Sequence, residues 1–319
     1  MNRRSFLTLP VLSALPHPAA AQGRPTRLIV PFPAGGATDA VSRLFAPLLA
    51  QRMGTTVVIE NRPGAGGVPA AELVVRAPAD GLTLLLATSS IHSTAPATGA
   101  NLPYDVEKDF TPLALIGAAP SLVLVSRTVP VDDLRGFIAW AKARRGQVNY
   151  GSSGVATTPH LNGALLDSLA DLGMVHVPYR GTGAVYAELL RGDVHVLLDV
   201  PATAASHIAA GTVKALAVTS ARETPLAPGI PTGEAAGLPG LVSETWFGIF
   251  GPANMPPALA ARITEASRAA ASDPDLRARL LGLGVDPRAG DGAALAEAAR
   301  VERERWTGLV RRLNIRATE

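Results

Sequence analysis

The chain has 319 residues, 47% hydrophobic and 17% charged, which is enough apolar material for more than one core and excludes a disordered chain. It contains no cysteine, so disulfides, thiolate metal sites, a thiol nucleophile and a cysteine-linked lipid anchor are excluded. Aromatic residues make up only 4%, too few for a base-stacking nucleic-acid surface. The net charge of +3 falls further if a leader carrying Arg3 and Arg4 is removed.

Residues 1–21 have the layout of such a leader: a basic start, an apolar stretch from Phe6 to Leu15, and the small-residue end Ala19-Ala20-Ala21. Arg3-Arg4-Ser5-Phe6-Leu7 fits a twin-arginine signal, and the general secretory route accepts it as well. No other run approaches the roughly 18–20 apolar residues needed to span a bilayer. The mature chain is therefore expected free in the periplasm.

Next comes a strand at Arg27–Phe32, a turn built on Gly35-Gly36, and a helix over Thr38–Met53 with Thr38 or Asp39 as its cap. Pro47 should kink or shorten that helix. Thr56–Glu60, Gly67–Arg76 and Leu82–Thr88 complete a βαβαβ series. Asn61-Arg62-Pro63-Gly64-Ala65-Gly66-Gly67 superficially looks like a dinucleotide fingerprint, but Pro69 stands where the third glycine is needed. The first strand thus enters a glycine-rich turn at its carboxyl end, where open α/β sheets bind ligands and unpaired N–H groups suit an anion. Thr88, Ser89 and Ser90 form a second polar turn at a strand end.

Leu113–Ile116, Leu122–Ser126 and, later, Glu244–Phe250 read as strands crossing between two units. The second unit runs through Val148–Tyr150, Pro159–Ala170, Val175–Val177, Ala184–Arg191, Val194–Asp199, Ala202–Ala209 and Val213–Thr219. Its opening strand leads into Gly151-Ser152-Ser153-Gly154 and a helix capped by Thr158 with Pro159 at its first position. Ser152 and Ser153 are the residues this capping leaves unexplained. They are either an ordinary polar turn or hydroxyl donors to a carboxylate. The mostly helical tail from Pro256 to Leu313 should pack back on the first unit, giving two connections and a hinge near Ala118–Pro120 and Ser243–Phe247.

Ser153, His160 and Asp199 supply the residue types of a hydrolase triad, so an esterase-like enzyme using Ser152 or Ser153 is one alternative. Against it, Val155 occupies the second glycine position of G-x-S-x-G. His176 and His195 lie in apolar strand patterns and read as core-edge residues, and with no H-E-x-x-H neither metal nor cofactor is expected.

The blocks P-F-P-A-G-G-A-T-D, E-N-R-P-G-A-G-G, D-G-L-T-L-L-L-A-T, N-Y-G-S-S-G, H-V-P-Y-R-G, A-L-A-V-T-S and W-F-G-I-F-G-P, in this order, resemble the Bug receptors, the extracytoplasmic solute-binding proteins of tripartite tricarboxylate transporters. The resemblance implies an α/β, type II-like periplasmic binding protein that closes on a small carboxylated solute without catalysing a reaction. Its two lobes would be 22–118 plus 248–319, and 119–247. Carried over by position, it implies ligand contacts at Phe32, Ala34, Gly35, Gly36 and Thr38, at Ser152, Ser153, Thr157 and His160, and at Asp199. Val200 replaces the asparagine often found beside that acid, and Asp199 either caps the helix starting near Ala202 or, as the resemblance implies, faces the ligand's far end, where it would favour a monocarboxylate or a donor-bearing acid over a tricarboxylate. The implied partners are the permease subunits of such a transporter, or a sensor protein if the receptor signals instead, with the receptor itself a monomer.

Overall fold

The computed structural model of the protein describes residues 24–99, 101–179 and 182–315; the expected leader at 1–21 lies outside them. Short apolar runs alternate with helices and build two sheets. The first opens with β1 (Thr26–Val30), α1 (Ala37–Met53), β2 (Val57–Asn61), α2 (Val68–Val75), β3 (Thr83–Thr88) and the short α3 (Ala95–Ala97). The second holds β5 (Leu122–Ser126), α4 (Leu134–Lys142), β6 (Asn149–Ser152), α5 (Thr158–Ala170), β7 (Val175–Pro178), α6 (Thr182–Arg191), β8 (Val196–Asp199), α7 (Pro201–Ala209) and β9 (Val213–Val218). β4 (Phe110–Pro120) leads from one to the other and β10 (Glu244–Pro252) returns, followed by α8 (Pro257–Ala271), α9 (Pro274–Gly282), β11 (Asp286–Asp291) and α10 (Gly292–Leu313).

The first sheet has the order β11-β4-β10-β3-β1-β2 and the second β7-β6-β8-β5-β9. β1, β2 and β3 are mutually parallel, whereas β10 is antiparallel to both β3 and β4. Parallel strands covered on both faces need apolar residues without alternation. Leu28, Val30, Leu84 and Leu86 accordingly feed one core cluster, and Ile29, Leu85 and Ala87 feed the cluster on the opposite face. Pro47 does not break α1, which runs unbroken for 17 residues. Pro47 is exposed while Val41, Phe45 and Leu49 are fully buried, so the hydrogen bond it forfeits lies on the wet side of a helix held by its dry side.

The two crossings meet at one residue. Thr219, fully buried, accepts the Ser121 N–H at Oγ1 (2.8 Å) and donates that hydroxyl to Ser243 O (2.6 Å). Its own N–H donates to Ser121 O, and its carbonyl accepts from Ser243 N–H. Ala118–Pro120 and Glu244–Phe247 are paired strand here, and the chain passes between sheets immediately beyond them, at Ser121 and Ser243. The tail bridges both sheets and does not pack on the first alone. Leu295 and Ala299 of α10 join a first-sheet cluster, while Trp306, Leu309 and Val310 enter the core of the second.

Candidate functional site

Where the strands of both sheets end facing one another, a cleft of about 670 Å³ opens between them. Thr88 at the end of β3, paired with Phe247 of β10, lies on the first-sheet side, together with Phe32 after β1. Ser153 follows β6 and Val200 follows β8 on the other side. Among the described residues that line the cleft, none is charged.

Its principal polar feature is a pair of helix starts. α1 begins at Ala37 after Gly36 and α5 at Thr158 after Thr157, and in neither does a side chain cap the first turn. Ala37 and Thr38 of one and Thr157 and Thr158 of the other line the cleft. The first-turn N–H groups, which no helix can satisfy internally, therefore open onto the same space from opposite sides. Two positive dipole ends and the hydroxyls of Thr38, Thr88 and Ser153 suit one anionic group without any cation.

Charged residues hold these loops from behind. The Gly35 N–H donates to Asp39 Oδ2 (2.9 Å) in a turn made with φ +84° at Gly35. Asp39 also accepts from Arg43 Nε (2.7 Å) and from Asn61 Nδ2 (3.0 Å), and Asn61 Nδ2 donates to Phe32 O as well. Chiefly through the Arg43 hydrogen bond, the Asp39 carboxyl is pulled down to about 2. Asp39 thus organises the turn and does not cap the helix; it lies outside the cleft lining, as do Ala34, Gly35 and Gly36.

The second loop rests on a stack of rings. His160 and His176 lie face to face at 3.7 Å and 5°, with Tyr150 stacked on His176 at 4.9 Å. Gly163 in α5 makes room for this, since a Cβ there would sit 2.2 Å from the Tyr150 ring. His160 Nδ1 accepts the Ala156 N–H (2.9 Å), which holds Ala156 at φ +61°. Ser152 Oγ lies 2.7 Å from His176 Nε2. Burial lowers the pKa of both imidazoles, and His176, also facing His160, falls to about 4. Ser152 and His160 therefore shape the loop, and Ser153 and Thr157 face the cleft.

Of the sequence candidates, Phe32, Thr38, Thr88, Ser89, Ser153 and Thr157 come together around the cleft. Asp199 does not reach it. Its carboxylate accepts from Thr203 Oγ1 within the first turn of α7, and burial raises its pKa above the usual aspartate range. It caps no backbone group of α7, whose N-cap is Val200. Ser153, His160 and Asp199 form no triad, because His160 is bonded to Ala156 and Asp199 to Thr203.

Sequence reasoning missed His176 as the support of the loop; only the register Tyr150↔His176 between β6 and β7 shows its place. It also missed Thr94 and Thr98, which line the cleft with Ser90. Their spacing of four along one helical face was a usable signal. Leu283, Gly284 and Val285, far along the tail, gave no signal at all.

The profile describing the tripartite tricarboxylate transporter family receptor matches residues 41–315. The chain belongs to this receptor family. It is 34% identical, over 94% of its length and 89% of the relative's, to a UPF0065 protein of Pseudomonas sp. strain P51. It is also 34% identical to BugT of Bordetella pertussis, over 77% of this chain and 74% of that one. Among solved structures, MatC of Rhodopseudomonas palustris with bound malate is 33% identical with a TM-score of 0.72, covering 90% of this chain and 99% of MatC. The R. palustris protein Rpa4515 with adipate is 31% identical with a TM-score of 0.77, covering 92% and 98%. The fold is that of the family's periplasmic binding proteins. Among the described residues, no helix is long and apolar enough to cross a membrane.

Proposed function

We propose that the chain is an exported receptor that captures a small carboxylated solute between two lobes and passes it to the membrane subunits of a tripartite transporter. In this reading the lobes part at Ser121 and Ser243, a few residues inside the bounds expected from sequence because β4 and β10 stay paired in the first sheet up to Pro120 and from Glu244, and α10 is a strut across both. The observation that carries this reading is the meeting of the uncapped starts of α1 and α5 across one uncharged cleft. Such a site holds one carboxylate through N–H groups and hydroxyls with no salt bridge, which keeps binding compatible with release. Malate and adipate in the relatives support a carboxylate as the cargo class. The site residues in this reading are Thr38, Ser153, Thr88, Ser89, Thr157 and Phe32, with Ser152, His160 and Asp39 positioning them.

Mass spectrometry of the small molecules released on denaturing the purified protein tests it. A carboxylic acid recovered in stoichiometric amount, which also raises the melting temperature when added back, is the expected result. A released compound without an acid group would overturn it.

A further inference from the structure

The cleft is polar at one end and apolar at the other, and we propose that it selects monocarboxylates with an apolar body over di- and tricarboxylates. This rests on the reading of the cleft as the solute site. The order β1-β3-β10-β4-β11 across the first sheet, at about 4.8 Å per strand, separates the ends of β1 and β11 by roughly 19 Å. Thr38 and Thr88 belong to the β1 and β3 side, opposite Ser153. Towards β4 and β11 the lining becomes Ala119, Leu283 and Val285, and from the second sheet Val200 and Ala202.

Contact across the cleft fixes that pairing. A Cβ on Gly284 would lie 2.7 Å from the Ala202 Cβ and 3.2 Å from its backbone nitrogen. Val200 packs against the first-sheet core cluster that contains Val285. The start of α7, the third helix terminus at the cleft, is therefore covered by the Gly284 backbone. The Thr203 hydroxyl is already committed to Asp199 and to Val200 O.

A second carboxylate at this end would find one neutral hydroxyl, that of Thr245, and the buried Asp199 carboxyl behind Val200. One hydroxyl does not replace the several waters an ionised carboxylate loses on entry, so the distal acid keeps most of its desolvation cost. A ring or alkyl chain of the same length instead gains contact with Phe247, Val285 and Val200.

Matched pairs that differ only at the distal acid test the proposal: hexanoate against adipate and benzoate against terephthalate, titrated calorimetrically into the ligand-free mature protein. The expected result is that at least one monoacid binds and that it binds at least tenfold tighter than its diacid, a difference of about 1.4 kcal/mol. In the Val200→Asn variant, checked by its melting curve, that ratio should shrink. A diacid bound as tightly as its monoacid partner, or a ratio unmoved by Val200→Asn, overturns the selectivity while leaving a carboxylate receptor intact. If none of the four acids, nor malate nor citrate, binds, the carboxylate reading itself falls and this inference with it.

Discussion

Glu302 on α10 is 5% exposed, and its Oε1 accepts the Trp306 indole N–H at 3.0 Å. Burial raises its pKa from 4.5 to about 7, offset in part by the Trp306 hydrogen bond. Replacing it with Gln keeps the shape and the acceptor and removes the ionisable proton. Below pH 4.5 the carboxyl is neutral in the folded and the unfolded chain, so variant and parent should be about equally stable. Between pH 4.5 and 7 the unfolded parent ionises while the folded one holds its proton, so the stability that the neutral acid retains is progressively lost as pH rises. A displacement of 2.5 units at 1.36 kcal/mol each sets an upper limit of about 3 kcal/mol by pH 8. For a chain of this size that is roughly 6 °C of melting temperature. Thermal unfolding of Glu302→Gln and parent at pH 4.5, 6 and 8 should show curves that coincide at the acid end and separate towards the basic end, with the variant higher. A constant offset at all three pH values would show that Glu302 is not held neutral, and would refute the reasoning.

The histidines act in the opposite direction. His92, fully buried against Phe250, has its pKa lowered to about 3 and His176 to about 4, so stability conferred above pH 6.5 should drain away as pH falls towards those values, and Glu302→Gln should leave the part of this acid limb below pH 4.5 unchanged in denaturant titrations. Thr38→Ala combined with Ser153→Ala should weaken acid binding by about 1.5–3 kcal/mol per lost hydrogen bond without lowering the melting temperature of the free protein; unchanged affinity in calorimetry would exclude this end of the cleft. Thr219→Val removes the hydroxyl that joins both crossings and should destabilise the fold by about 2 kcal/mol in urea titration, because a buried N–H and a buried carbonyl lose their partner together. Gly284→Val places a side chain with φ near +75° against Ala202, which should hold the lobes apart; scattering with bound acid should give a larger radius of gyration than the parent, and equal radii would argue against closure at that contact.

The amino-acid sequence by itself carried the alternation of strands and helices, the two sheets, the strand-end turns and the family, because these depend on residues adjacent in the chain. Gly35 in its left-handed turn, the continuous apolar runs of β1 and β3, and the hydroxyls after β3 and β6 are all local signals. What only the tertiary structure decided is which of those turns point into one cavity. Ser152 and Ser153 are neighbours with opposite assignments, since one meets His176 across a strand pair and the other meets open space. Asp199, which the resemblance brings towards the ligand and which could equally have served as a helix cap, has its carboxylate bonded to Thr203 one helical turn on. The apolar end comes from Val200 and Val285, 85 residues apart, and sequence periodicity says nothing about which loops a second connection brings face to face. The covalent chain specifies each loop's chemistry, but direction and proximity are set by sheet order and by the Gly284–Ala202 contact, which exist only once both sheets have formed.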